Sequence, residues 1–247
     1  MLFGGHVKSI SDIQSLRDLG LDFGELVLTD THAPRLWRDS GVTNRFDDGF
    51  FLISHGPFEG EPNDLENLWR KYLPVLKDSV DTAHAMEIRF LTIHLWMDSR
   101  FIRPAVIAEK TGALVELVDY ARGLGVLIGL ENLSEPASDL AAVLKAVPGL
   151  GLTLDVGHAE LITKRNRSFE IIEQLGALIW HVHLHDNRGG RGPKDDLHLP
   201  IGKGRIEFPA VLEALAASGY RGTVTLELKQ KDLLESRQTV MDIWPQR

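Results

Sequence analysis

The sequence predicts a single (β/α)₈ (TIM) barrel, and three observations support that fold class. The chain has 247 residues, close to the typical size of such a barrel. Short apolar runs alternate with helical patterns from end to end, as repeated βα units do. Metal-ligand or acid/base residues end strand after strand, as a site at the C-terminal mouth of a parallel barrel requires. Glu131, Asp155, His183 and Glu227 close the runs 126–130, 151–154, 180–182 and 223–226, and His55 and His94 close two more.

The elements follow in order. Strand one is expected at Leu2–His6, then a helix over Ser11–Leu19 with Ser11 as N-cap and Gly20 as stop. Strand two is Phe23–Leu28. Residues Thr29–Gly49, rich in Asp, Thr, Gly and Arg, read as a long loop with one helical turn. Strand three is Phe51–Ser54. Leu65, Leu68, Tyr72, Leu76, Val80 and Ala83 give helical spacing across Asn63–Glu87. Strand four is Leu91–His94, and a helix follows over Pro104–Leu124, with proline suited to its first turn. Strand five (Val126–Leu130) precedes a helix over Ala137–Ala146. Strand six (Gly151–Leu154) precedes a short helix over Ser168–Leu175. Strand seven (Trp180–His185) precedes a helix over Pro209–Ala217. Strand eight is Thr223–Leu228, and the tail from Asp232 starts as helix. No linker, low-complexity tract or tandem repeat divides the chain, so one domain spanning 1–247 is expected.

Strand alternation gives the ligands a direction. Turning Glu131 inward brings Gly129 and Leu127 with it. Asp155 brings Thr153, Glu227 brings Thr225 and Thr223, and His183 brings His181 and His185. The opposite registers carry Ile128, Leu130, Leu152, Leu154, Val182, Leu184, Val224 and Leu226, which suits contact with outer helices. Beyond the strands, His158 and the Asp196–His198 pair complete an inventory of nine metal-type residues with His55, His94, Glu131, Asp155, His183 and Glu227. Carboxylates mixed with imidazoles suit Zn²⁺ or Mn²⁺, with Mg²⁺ or Co²⁺ as alternatives, better than a pure-oxygen Ca²⁺ site. His6, His32 and His84 are read as ordinary packed histidines.

Composition narrows the function class. Hydrophobic content is 43% and charged content 25%, ordinary for a globular protein. There are no cysteines, which excludes disulfides and thiolate metal sites and fits a cytoplasmic location. A net charge of -8 disfavours nucleic acid as partner. No secretory signal and no membrane-spanning run are expected. Nothing in the composition fixes an oligomeric state. The long segment Asn187–Arg205 carries Arg188, Arg191, Lys194, Lys203 and Arg205, which suits either a phosphate group or a solvated loop. Phe58 and Trp96 lie just past the two strand-end histidines, where they either wall a pocket or pack in the core.

Taken together, the chain resembles the xylose-isomerase-like barrel superfamily, which includes endonuclease IV and many sugar isomerases and epimerases. The resemblance spans essentially the whole chain. It rests on His-Gly-Pro-Phe (55–58), Ile-His-Leu (93–95), Leu-Glu-Asn (130–132), Leu-Asp-Val-Gly-His (154–158), His-Leu-His-Asp-Asn (183–187), Asp-Leu-His-Leu-Pro-Ile-Gly-Lys-Gly (196–204) and Leu-Glu-Leu (226–228). It implies that Glu131, Asp155, His183 and Glu227 hold one divalent metal, and that the two glutamates also move protons at a sugar carbon. His55, His94, His158 and Arg188 would then contact a small-molecule sugar substrate. The endonuclease IV pattern implies instead a zinc cluster, with His55, His94, His158, Asp196 and His198 as further ligands and phosphodiester hydrolysis as the reaction. A third alternative is a barrel that binds metal or sugar without turnover.

Overall fold

The computed structural model describes residues 1–28 and 33–245. Eight parallel strands close in sequence order: β1 Leu2–Val7, β2 Phe23–Val27, β3 Phe51–His55, β4 Phe90–His94, β5 Leu127–Glu131, β6 Leu150–Asp155, β7 Ile179–Leu184 and β8 Thr223–Leu226. β8 pairs with β1, Leu2 opposite Thr223 and Gly5 opposite Leu226, which completes the barrel. The predicted fold class is therefore the observed one. The helices are α1 Ile10–Asp18, α2 Ala33–Asp39, α3 Leu65–Asn67, α4 Leu73–Ala85, α5 Pro104–Gly123, α6 Ala137–Ala146, α7 Ser168–Leu175, α8 Phe208–Ala217 and α9 Leu233–Ile243. Among the described residues, no helix is long and apolar enough to cross a membrane.

The outward registers of β5 to β8 behave as alternation demands. Ile128, Leu130, Leu152, Leu154, Val182, Leu184, Val224 and Leu226 are all buried, each stabilising the fold by about 1.5–3 kcal/mol. Inside the barrel the floor is aromatic. Phe23 stacks on Phe51 at 5.3 Å between ring centroids, and the His181 ring meets Phe23 and Phe90 edge-on at 5.9 and 5.7 Å. Glycine makes the room: a Cβ on Gly129 would sit 2.6 Å from Phe90 Cζ, and one on Gly4 would clash with the Phe23 ring. Above the floor lies a polar layer in which Thr92 and Thr153 share a hydrogen bond and His181 bonds Thr223 and Thr225. Leu127, expected inward, begins β5 at the opposite rim and is 52% exposed.

Three local readings need correction. α1 starts one residue before Ser11, and Ser9 is its cap; Asp12 accepts the Ser9 N–H at 2.8 Å. Within 29–49, α2 forms two turns of helix rather than one because Trp37 is buried against the core. Thr29 to His32, including the histidine set aside above, lie outside the described residues. The expected continuous helix over 63–87 is broken by a wide π turn at Leu68–Tyr72. That insertion buries Tyr72, whose hydroxyl donates to the carbonyls of Pro57 and His94 and so fixes the ends of β3 and β4.

Behind this mouth a buried network ties the loops after β3, β4 and β5 together. Lys110, 1% exposed, pairs with Glu59 at 2.5 Å and donates to the Trp96 carbonyl at 2.8 Å. Glu135 accepts the backbone N–H groups of Met97 and Leu133 at 2.8 and 2.7 Å. Burial pushes the Glu135 carboxyl up to about 7, against those hydrogen bonds. A folded pKa above the unfolded one means the native state holds an extra proton between about 4.5 and 7. The resulting stability is complete below that window and lost as pH rises through it. Unfolding free energies of the wild type and Glu135→Gln, measured at pH 5 and pH 8, are expected to show the wild type losing up to about 3 kcal/mol more than the variant. Equal pH dependence would refute this.

Candidate metal centre

The strand ends converge. Glu131, at the end of β5 and fully buried, sits between two pairs of imidazoles. Its Oε2 lies 3.1 Å from His55 Nε2 and 3.0 Å from His94 Nε2. Its Oε1 lies 3.0 Å from His158 Nδ1 and 3.4 Å from His183 Nδ1. Glu227, just past β8, approaches His6 at 3.0 Å and His183 Nδ1 at 3.1 Å through Oε1, and His198 at 3.4 Å through Oε2. Asp155 accepts the His158 backbone N–H at 2.6 Å and lies 3.2 Å from His185. Asp196 Oδ2 sits between His158 and His198, at 3.2 and 3.0 Å.

The loop after β7 is held by Asp186. Its two oxygens accept backbone N–H groups from Asn187, Gly202, Gly204 and Ile206. Gly204 has to be glycine, because a Cβ there would lie 2.2 Å from Asp186 Oδ1 and 2.3 Å from the Asn187 carbonyl. Asn187 in turn donates to Asp196 at 3.1 Å. His198 adopts φ +44°, a left-handed conformation that is uncommon outside glycine and typical of constrained functional positions.

Charge dominates the electrostatics. Burial alone would raise the carboxyl of Glu131, but the imidazoles around it, His94 and His183 first and His158 beside them, hold it well below the usual range. Burial acts the same way on Glu227 and is again outweighed, by His183 and His6. Burial would lower His183, yet Glu25, Glu227 and Glu131 raise it well above an ordinary histidine. His198 is raised to about 9 by Asp196 and Glu227 despite its burial.

The donor atoms of these residues fit a metal by their chemistry and position. Glu131 Oε1, Asp155 Oδ2, His183 Nδ1 and both ring nitrogens of His94 and His185 are buried without a hydrogen-bond partner among the described residues. Each such atom costs about 1–3 kcal/mol when nothing satisfies it. One cation offers Glu131 Oε1, Asp155 Oδ2 and His183 Nδ1 a partner at once. Ligand atoms of Glu131, Asp155 and His183 lie within 4.8 Å of one another, as do those of His55, His183 and Glu227. A separate group, His158, His185, Asp196 and His198, meets the same criterion and shares no residue with either set.

Eight of the nine inventoried residues thus make direct contacts to Glu131, Asp155 or Glu227, or are those residues, and Asp196 joins through His158 and His198. Arg188 behaves differently. It is exposed and donates to the Lys203 carbonyl at 3.5 Å, within its own loop. Three residues of the centre were not anticipated. His6, read as an ordinary histidine, contacts Glu227. His185 contacts Asp155. Glu25, in mid-β2, lies 3.1 Å from His183 Nε2 and 3.4 Å from His181 Nε2. Phe58 stacks on His94 with ring centroids 4.9 Å apart and is 67% exposed, so it walls the mouth. Trp96 packs on Phe101 and donates to Ser134.

A family model described as xylose isomerase-like TIM barrel matches residues 13–243. An uncharacterised protein of Methanocaldococcus jannaschii is 29% identical over 209 residues, covering 77% of this chain and 69% of its own. A probable endonuclease 4 of Halobacterium salinarum is 23% identical over 236 residues, covering 83% and 84%. Among solved structures, a D-tagatose 3-epimerase-like protein superposes with a TM-score of 0.79 at 26% identity, covering 98% of this chain and 97% of that one.

Proposed function

The chain belongs to the xylose isomerase-like TIM barrel family, and from that premise we propose that it is a divalent-metal-dependent isomerase or epimerase of a small sugar or sugar derivative. One observation carries the reading: His183 Nδ1 lies between the two glutamates, 3.4 Å from Glu131 and 3.1 Å from Glu227. Two carboxylates carried by β5 and by the end of β8 therefore face one small space. The 26% identity to a D-tagatose 3-epimerase-like protein over nearly the whole chain supports the same reading.

Glu131, Asp155, His183 and Glu227 would hold the ion, Zn²⁺ or Mn²⁺ by their donor types. When bound, such an ion supplies Lewis acidity that stabilises negative charge developing on substrate oxygens. In an isomerisation one ionised glutamate would accept a proton from a sugar carbon and return it to the neighbouring carbon. In an epimerisation one of Glu131 and Glu227, ionised, would accept the proton from one face, while the other, entering the turnover protonated, would deliver its proton to the opposite face. His158, between Glu131 and Asp196, donates to a substrate hydroxyl, and Phe58 covers one side of the sugar. The ring of buried side chains around the space excludes bulk water. We read the chain as one domain acting in the cytoplasm on this small molecule.

A second reading rests on the separate group His158, His185, Asp196 and His198. A centre with room for more than one ion suits phosphoester hydrolysis, in which several cations share the attacking and leaving oxygens. Metal analysis after chelator-free purification discriminates. About one ion per chain, with turnover on a ketose panel, is the expected result. Two or three zinc ions with cleavage of abasic DNA and no ketose turnover would replace the first reading with the second.

A further inference from the structure

The loops after β4, β6 and β7 border an open cavity of about 760 Å³. Lys164, Arg167, Arg191 and Arg205 line it with Phe101 and Gly190, and among the described residues no carboxylate does. Arg167 pairs with Glu170 at 2.8 Å and Arg205 with Glu160 at 2.6 Å. Lys164 and Arg191 have no ion pair among the described residues. Asp195, the nearby carboxylate on the same loop, is spent on the backbone N–H groups of Arg191 and Gly192.

The walls are built rather than loose. Ile162 donates to the Gly190 carbonyl at 2.8 Å, joining the β6 and β7 loops. Gly189 lies flat under the Arg205 guanidinium: a Cβ there would be 2.3 Å from Nη2. Arg205 is therefore clamped between Gly189 and Glu160. The β6 loop also carries His158, and the β7 loop carries Asp196 and His198, so the two loops that wall this cavity also supply residues of the metal centre.

We infer that this cavity is an anion subsite for the phosphoryl group of a phosphorylated sugar. The inference deepens the sugar isomerase reading and rests on it for the sugar, though not for the anion. Guanidinium forks match phosphate oxygens in pairs, and two free cations suit a phosphate dianion. A nucleic-acid backbone would need a continuing basic track, which a net charge of -8 disfavours.

The test uses the metal-loaded protein and inorganic phosphate, followed by calorimetry and ³¹P line broadening. The variant is Lys164→Gln with Arg191→Gln; both residues are exposed and lie outside the metal centre. The wild type is expected to bind phosphate saturably and the variant about tenfold more weakly, with unchanged metal content. The charge-keeping pair Lys164→Arg with Arg191→Lys retains binding. On ketose phosphates the neutralised variant raises KM and leaves kcat, and it leaves turnover of neutral ketoses unchanged. Equal phosphate affinity in both proteins would place the anion on the metals and overturn the inference, as would absence of saturable binding. Tighter binding of a single-stranded oligonucleotide than of phosphate, lost in the variant, would also overturn it in favour of a polymer. Phosphate binding is read without turnover, so it survives if the isomerase reading alone fails.

Discussion

Replacing Glu131 by glutamine is expected to reduce turnover by about 10³-fold or more while the protein stays folded. The change keeps the side chain's shape and removes both its charge and one acceptor. In the native centre each Glu131 oxygen faces two imidazoles, His55 and His94 on one side and His158 and His183 on the other. An amide must turn its NH₂ toward one of these pairs. On that side two ring nitrogens lose a carboxylate and face a donor, and the ion loses a ligand from the position that links the histidines. Steady-state kinetics on the responsive ketose, with metal content measured on the same sample, check the prediction. Loss of turnover with metal retained would assign Glu131 chiefly to proton transfer, and loss of both would assign it chiefly to holding the ion. Turnover equal to wild type would show that neither role exists.

Glu131 was readable because it ends a strand. An ionisable residue after four or five apolar ones has few bland explanations once the pattern recurs, and period-two alternation sends all of these residues to the same face. The rule that selected six strand ends applied equally to β1, where His6 stands next to the final Val7; extending it would have found the contact to Glu227. His185 was in the correct register with His183 and needed only the same step. Glu25 is a different case. It lies in the middle of Phe23-Gly24-Glu25-Leu26-Val27, with no positional mark, and its partners are on β7, across the barrel rather than beside it. Only closure of the sheet creates that pairing. The π turn was hidden for a related reason: it adds one residue to a helical turn, while the apolar spacing on either side still fits a continuous helix. Asp186 could not be weighed from sequence, because its role depends on four backbone groups that a loop brings back to it. Basic residues in that same loop gave no indication of direction. Arg188 stays within the loop, whereas Arg191 and Arg205 face the cavity with Lys164 of the β6 loop.

Replacing Glu25 by glutamine is expected to weaken metal binding by about 10–100-fold, although Glu25 is not among the residues grouped around the proposed ion. Its carboxylate is fully buried. Burial would raise it, but the charges of His183 and His181 and their hydrogen bonds hold it well below the ordinary range, so it is ionised. Glu25 takes the His183 Nε2 side of the ring, leaving Nδ1 toward Glu131, Asp155 and Glu227. A carboxylate bonded to the far nitrogen of a ligating histidine fixes the tautomer and makes the near nitrogen more basic. Glutamine keeps an oxygen for Nε2–H but loses the negative charge, so the ring stays in place with a poorer donor. Alanine removes the partner altogether and strands two buried imidazoles, with a stability cost of about 3–5 kcal/mol. The two variants separate positioning from packing. Competitive titration against a chromophoric chelator gives the metal affinity, ¹⁵N shifts of the His183 ring report the tautomer, and thermal unfolding gives the stability. A positioning role requires that Glu25→Gln change affinity and ring shifts with little loss of stability. If Glu25→Gln lowered stability while affinity and the His183 shifts stayed at wild-type values, Glu25 would be a buried structural acid and nothing more.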